Sequence, residues 1–87
     1  MFSQHFKRNI RLIHHVRTRM EKRDISLELL LDLIETGDIR YKSESDLWIY
    51  RQYPERVDNM VCTAVVVGQA VIVKTVMVDW ILEEPQL

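Results

Sequence analysis

The chain has 87 residues, of which 47% are hydrophobic, and a formal net charge of −1. This length fits one domain, and we assign it residues 1–87. The chain has one cysteine, Cys62, which excludes an internal disulfide and favours a reducing, cytoplasmic location. Cys62 stands in an apolar run, which predicts a buried, inert thiol rather than a catalytic one.

The small net charge conceals a strong asymmetry along the chain. Residues 1–23, which we call the basic segment, carry seven Lys and Arg side chains against one Glu, a balance of +6. Residues 24–87 carry five basic and twelve acidic side chains, a balance of −7. Such a split indicates that the basic segment faces a phosphate-bearing partner. The alternative is that it pairs with the acidic remainder of its own fold.

Residues 10–36 are predicted to form two helices, preceded by an arm or a short strand over residues 1–9. From about Ile10 to Met20 the apolar residues repeat with the spacing of an amphipathic helix. Asp24 then interrupts the pattern.

The second helix is predicted over residues 27–36. Ser26 is a good N-cap, and the leucines and isoleucine that follow have helical spacing. Gly37 stands where a left-handed residue ends a helix.

Beyond Gly37 the apolar period changes to two, which predicts strands. Four strands are predicted, at Asp38–Lys42, Leu47–Tyr53, Met60–Val67 and Ala70–Val78. The last two are joined by Gly68 and Gln69, a pair that suits a two-residue turn with glycine first.

The apolar run from residue 61 to 82 approaches the length of a membrane span. Gln69, Lys74 and Asp79 interrupt it, and its β-branched composition favours a hairpin. No membrane association is therefore expected.

These elements predict an α+β fold in which two N-terminal helices pack on about four antiparallel strands. Residues 38–80 would form the sheet and residues 81–87 a short acidic tail. Because the helices should cover one face of the sheet, the other face is left open for a site.

His15, Arg19 and Arg23 are spaced four residues apart, so on a helix they form one ridge. Guanidinium groups bind phosphate and stabilise developing negative charge, and an imidazole moves protons near neutral pH. This trio suits phosphodiester chemistry. The alternative is a solvated basic face of a helix.

The segment from His15 to Ser26 matches the pattern H-x3-R-M-x2-R-x-I-[ST], and in this it resembles an uncharacterised bacterial and phage domain family. The resemblance continues through residues 36–39, 48–50 and 73–76. That family is similar to the small RNase toxins of the RelE and colicin D type. The resemblance implies metal-independent RNA cleavage by attack of a ribose 2′-hydroxyl on the adjacent phosphate. It also implies an antitoxin protein as partner.

The resemblance and the ridge together give seven candidate site residues. The candidates for catalysis are His15, Arg19, Arg23 and Lys74, and those for substrate binding are Arg17, Tyr50 and Thr75.

Two of these candidates have other interpretations. Lys74 alternates with Ile72 and Val76 and should share their face, where it lines a cleft or pairs with an acid such as Glu28 or Glu35. Tyr50, like Trp48, either stacks on a base or packs across strands.

No metal site and no cofactor are expected. The adjacent histidines His14 and His15 point about 100° apart on a helix, so they do not readily share an ion. His5 adds no suitable spacing, and no glycine-rich phosphate loop is present.

Two functions follow from the sequence. The first is a RelE-like, metal-independent endoribonuclease toxin or a domain derived from one. The alternative is a non-catalytic module that binds RNA or a protein partner through its basic N-terminal helix. A homodimer is compatible with either, because a domain this small often gains stability from a partner.

Overall fold

The computed structural model describes residues 1–82, which form two helices and six strands. In chain order these are β1 (Phe2–Ser3), β2 (Arg8–Leu12), α1 (Val16–Lys22), α2 (Leu27–Thr36), β3 (Asp38–Tyr41), β4 (Asp46–Arg51), β5 (Val61–Val67) and β6 (Val71–Met77). The strands form one sheet in the order β1-β2-β6-β5-β4-β3. The pair β2–β6 is parallel, and the other pairs are antiparallel. The prediction of two helices on about four antiparallel strands is therefore wrong, since the sheet is larger and mixed.

The N-terminal region accounts for most of this difference. Ile10 and Leu12 turn toward the core while Asn9 and Arg11 are exposed, which is the alternation of a strand. β2 pairs with β6 in the register Ile10–Val71 and Leu12–Val73. The helix predicted from about Ile10 is thus wrong over its first turn and a half, and α1 begins only at Val16.

The second helix is confirmed with the predicted bounds, residues 27–36. The Ser26 hydroxyl accepts a hydrogen bond from the Leu29 amide at 3.0 Å, as an N-cap should. Gly37 follows the helix, but its φ of −71° is not left-handed. Glycine is required there for space, because a Cβ would lie 2.6 Å from the Leu33 carbonyl oxygen and 2.7 Å from Ile49 Cγ2.

The four strands predicted after Gly37 are found as β3 to β6, each within two residues of its predicted bounds. The long apolar run is the β5–β6 hairpin, and no helix within residues 1–82 is long and apolar enough to cross a membrane. The predicted two-residue turn is wrong. Val67 pairs with Val71, so three residues connect the strands, and Gly68 does not have a positive φ. Of the predicted tail, residues 83–87 lie outside the described part.

Both helices pack on one face of the sheet. The fully buried core combines Val16 of α1, Leu30 and Leu33 of α2, and Ile49 and Val73 of the sheet. The opposite face, which we call the outer face, carries the alternate residues of each strand. The core therefore fixes which side chains are available for a site.

A β-bulge changes the alternation of β6. Ala64 pairs with Thr75 but Val65 pairs with Val73, so Lys74 is the extra residue. Beyond it the phase is shifted, and Val76 is buried while Lys74 is exposed. The prediction that Lys74 and Val76 share a face is therefore wrong.

Candidate nucleic-acid interface

The outer face combines exposed cations with aromatic rings. Arg11 of β2 lies beside Ile72 of β6 in the parallel register, and both are exposed. Lys74 follows two residues later on the same face, also exposed. Further along the sheet, Trp48 and Tyr50 of β4 are half-buried. Positive charge and aromatic surface thus lie on one side of the sheet.

Two clefts open on this side. The first has a volume of about 240 Å³, and its walls include Lys42, Trp48, Lys74 and Thr75. The Lys42 ammonium lies 5.4 Å from the centre of the Trp48 ring, within cation–π distance. Asp46 is the acid that lines this cleft.

The second cleft lies across β6 from the first and has a volume of about 460 Å³. Its walls include Asn9 and Arg11 of β2, Gln69 of the β5–β6 turn, and Ile72 of β6. β6 therefore lies between two clefts, each of which has an exposed cation in its wall.

Arg19 and Arg23 both reach from α1 to β6. The Arg19 guanidinium donates a hydrogen bond to the Thr75 hydroxyl at 3.1 Å. It is exposed, and its partner Thr75 lines the first cleft together with Lys74. The Arg23 guanidinium is half-buried and donates to the Val76 carbonyl at 2.9 Å. The structure thus brings Arg19, Lys74 and Thr75 together, whereas Arg23 fastens α1 to the sheet.

His15 occupies the N-cap position of α1, and its carbonyl oxygen accepts a hydrogen bond from the Arg19 amide at 3.2 Å. Its side chain is exposed and makes no capping hydrogen bond. Arg17 on the first turn of α1 is also exposed. Within residues 1–82 neither side chain is hydrogen-bonded to the sheet, so both face solvent from the helix.

Trp80 is an outer-face residue that the sequence analysis missed. Its ring lies 5.6 Å from that of Trp48 and 5.1 Å from that of Tyr50, centre to centre. The Trp80 amide donates to the Met60 carbonyl at 3.0 Å, which folds the segment after β6 back onto the sheet. Tyr50, a candidate for base stacking, therefore already has an aromatic neighbour within the fold.

The basic segment forms no ion pair within the described part of the chain. The two ion pairs of residues 1–82 join Arg51 to Asp32 at 3.4 Å and Arg56 to Asp58 at 2.8 Å. All four of these residues lie outside the basic segment. Lys74 lies on the face opposite α2, so it does not pair with Glu28 or Glu35 of that helix. The cations of α1, β2 and β6 are thus not neutralised by an ion pair within residues 1–82.

Histidine, cysteine, aspartate and glutamate do not gather in groups of three that fit a metal ion anywhere in residues 1–82. His5 lies apart from the other two histidines, with its ring against Phe6 at 4.8 Å.

Cys62 is fully buried on β5, and this burial raises the pKa of its thiol from 9.0 to about 12. We expect the native thiol to react with Ellman's reagent at pH 8 roughly a hundredfold more slowly than the thiol of the chain unfolded in guanidinium chloride. Because the pKa is raised, the contribution of the neutral thiol to stability is complete below pH 9 and is lost as the pH rises toward 12. Rapid reaction of the native protein would show that Cys62 is accessible.

Comparison with known proteins identifies no relative of this chain. No family model matches the chain, and neither a curated protein nor a solved structure matches it. The resemblance to RelE-type toxins therefore stays a prediction from the sequence pattern.

Proposed function

We propose that this protein is a cytoplasmic domain that binds single-stranded RNA on the outer face of its sheet. The observation that supports this most directly is the hydrogen bond from Arg19 to Thr75. It holds a guanidinium of the basic segment at the cleft lined by Lys74 and Trp48. Phosphate groups would contact the cations, and a base would contact the exposed part of Trp48.

Single-stranded RNA fits this surface better than an acidic protein does. The cations of Arg11, Arg19, Lys74 and Lys42 are spread over β2, α1, β6 and the end of β3 rather than gathered at one point. Three inter-strand steps, or roughly 14 Å, separate β2 from β4. An RNA backbone, whose charges are regularly spaced, would cross the sheet along this line of cations. Aromatic rings between such cations are typical of single-strand binding sheets, because every base offers a flat face.

Binding is tested with a fluorescently labelled oligouridine, whose anisotropy is followed against protein concentration. We expect Lys74→Glu to weaken binding roughly tenfold or more, because it replaces a phosphate contact by a repulsive charge. The affinity of the wild-type protein should also fall steeply with salt.

Lys7→Glu is the matched control. It makes the same charge change within the basic segment, but Lys7 is exposed in the β1–β2 connection and lines neither cleft. We expect its affinity to stay within roughly threefold of the wild type, since long-range charge effects are screened. Equal losses for both variants, or no RNA binding by the wild type at low salt, would contradict the proposal.

A second proposal is that the bound RNA is cleaved, and the position of His15 favours it. The exposed imidazole lies one helical turn before Arg19 and has no hydrogen-bond partner within residues 1–82. His15 would take the proton of a ribose 2′-hydroxyl while that oxygen forms a bond to the adjacent phosphorus. The bond from phosphorus to the 5′-oxygen breaks, and this oxygen takes up a proton from the imidazolium. The products are a 2′,3′-cyclic phosphate and a 5′-hydroxyl.

Cleavage is tested by incubating end-labelled RNA with the protein in the presence of a chelator and analysing the product ends. We expect cyclic phosphate ends from the wild type and from His14→Ala, which removes the neighbouring exposed histidine. His15→Ala should bind RNA but leave it uncut. RNA that is bound and left intact by the wild type would refute cleavage while leaving the binding proposal in place.

A further inference from the structure

The strand β3 is the last of the sheet, and within residues 1–82 it pairs with β4 alone. The Lys42 amide donates to the Asp46 carbonyl at 2.7 Å, which identifies these two opposite residues as a hydrogen-bonded pair. Such pairs alternate along antiparallel strands. Asp38 and Arg40 therefore direct their amide and carbonyl groups toward β4, and Ile39 directs its own away from the sheet.

The side chains of this edge are self-complementary in charge. Asp38 is opposite Tyr50 and Arg40 is opposite Trp48, so both charged side chains lie on the outer face. Ile39 lies between them on the helix face, half-buried. A rotation of 180° about Ile39 exchanges the acid with the base.

We propose that β3 pairs antiparallel with β3 of a second copy of this chain, about a two-fold axis at Ile39. Each Ile39 would exchange two backbone hydrogen bonds with the Ile39 of the other copy. Each Asp38 would lie opposite the Arg40 of the other copy, on the outer face. The result is a continuous sheet through both copies.

The flanking residues extend the pairing by one step. Tyr41 would lie opposite Gly37 of the other copy, with its amide donating to that glycine's carbonyl oxygen. The Gly37 amide takes no part in this strand pairing, because it already donates to the Leu33 carbonyl oxygen at 2.8 Å. Tyr41 is 65% exposed, more than any other Phe, Tyr or Trp among residues 1–82, and an aromatic ring stabilises a glycine across a strand pair. The pairing would thus cover an otherwise exposed ring.

Charge also selects the register. A pairing centred on Arg40 would use the same outward-facing backbone groups, but it would place the two Arg40 side chains directly opposite each other. A shift of the register by one residue would turn the added strand over, so that its outer-face side chains would lie on the helix face. Alternating charges on an edge strand usually oppose pairing with foreign strands, and here they permit pairing with a copy of the same chain.

The test uses sedimentation velocity and native mass spectrometry on the full chain. We expect the wild type to reach about twice the 10.4 kDa mass of one chain. Asp38→Lys and Arg40→Asp should each weaken the dimer roughly tenfold or more, because each replaces two attractive cross-strand pairs by two repulsive ones. An equimolar mixture of the two variants should form a heterodimer, and the double variant Asp38→Lys, Arg40→Asp should dimerise again.

A second measurement needs no variant. In the dimer the amides of Ile39 and Tyr41 should exchange slowly with solvent, and dilution to the monomer should make this exchange fast. Either a wild type that stays monomeric at high concentration or a dimer that is unaffected by both single charge changes would overturn the proposal. Dimerisation is independent of RNA binding, because both the oligomeric state and the exchange rates are measured without RNA.

Discussion

Replacing Gly37 by alanine is expected to lower the free energy of unfolding by about 3 kcal/mol, the upper part of the range for overpacked sites. The added methyl would lie 2.6 Å from the Leu33 carbonyl oxygen, 2.7 Å from Ile49 Cγ2 and 3.0 Å from the Tyr50 carbonyl oxygen. Two of these three atoms belong to the backbone of α2 and β4, so relief requires that the helix move away from the sheet. In a domain of this size the melting temperature should fall by roughly 10–20 °C.

Gly68→Ala is the control for this experiment. A Cβ at Gly68 has no heavy atom within 4 Å, and its φ is not positive, so alanine fits without strain. We expect a change within about 0.5 kcal/mol, or a slight gain from the smaller entropy of the unfolded chain. Both variants are compared by thermal unfolding followed by circular dichroism. Equal stability of the two variants would show that α2 and β4 are not as closely packed as described.

Leu33→Ala is expected to cost about 3 kcal/mol, because it removes three carbon atoms from a fully buried side chain and leaves a cavity. Leu33 lies on the buried stripe of α2 with Leu30 and Ile34, so the cavity would open between the helix and the sheet. Urea unfolding should show a lower midpoint with an unchanged slope.

Leu27→Ala makes the same change on the same helix at a side chain that is 37% exposed. Its cost should be below about 1 kcal/mol, since less apolar area returns to water and solvent fills the space. Because both substitutions replace leucine by alanine in one helix, helix propensity cancels from the comparison. Similar losses for the two variants would mean that α2 is not seated on the core as described.

The sequence predicted α2 and the strands β3 to β6 because several local signals agree there. Ser26 as N-cap, helical spacing of leucines and a terminal glycine all indicate one helix, and alternation indicates the strands. The function of Gly37 was nevertheless misread. The demand for a small residue comes partly from the Leu33 carbonyl and partly from Ile49 and Tyr50, which are distant in the chain and approach only after the sheet has formed.

The N-terminal region could not be predicted because two periods compete in it. Ile10 and Ile13 fit a helix, whereas Ile10 and Leu12 fit a strand, and nothing local decides between them. The decision comes from Val71 and Val73 of β6, which supply the partner edge some sixty residues later. The bulge at Lys74 was unpredictable for the same reason, because an extra residue is defined only relative to a paired strand.

Of the candidate site, the sequence located the cations but not their arrangement. The hydrogen bond between Arg19 and Thr75 depends on α1 lying beside the second half of β6, which helical spacing alone does not reveal. Trp80 gave no signal beyond its size, because it follows the last strand and belongs to no alternating pattern. Its contacts with Trp48 and Tyr50 arise from a backbone turn at Asp79, where φ is 53°.

The parallel pairing of β2 with β6 has a consequence for the order of folding during synthesis. β6 follows β2 by some sixty residues in the chain, so during synthesis β2 has no partner strand until β6 has been made. Closing so long a loop is slow compared with forming α2 or the hairpin of β5 and β6. Until then the backbone edge of β2 stays open and its cations, Arg8 and Arg11, have no fixed place beside the sheet.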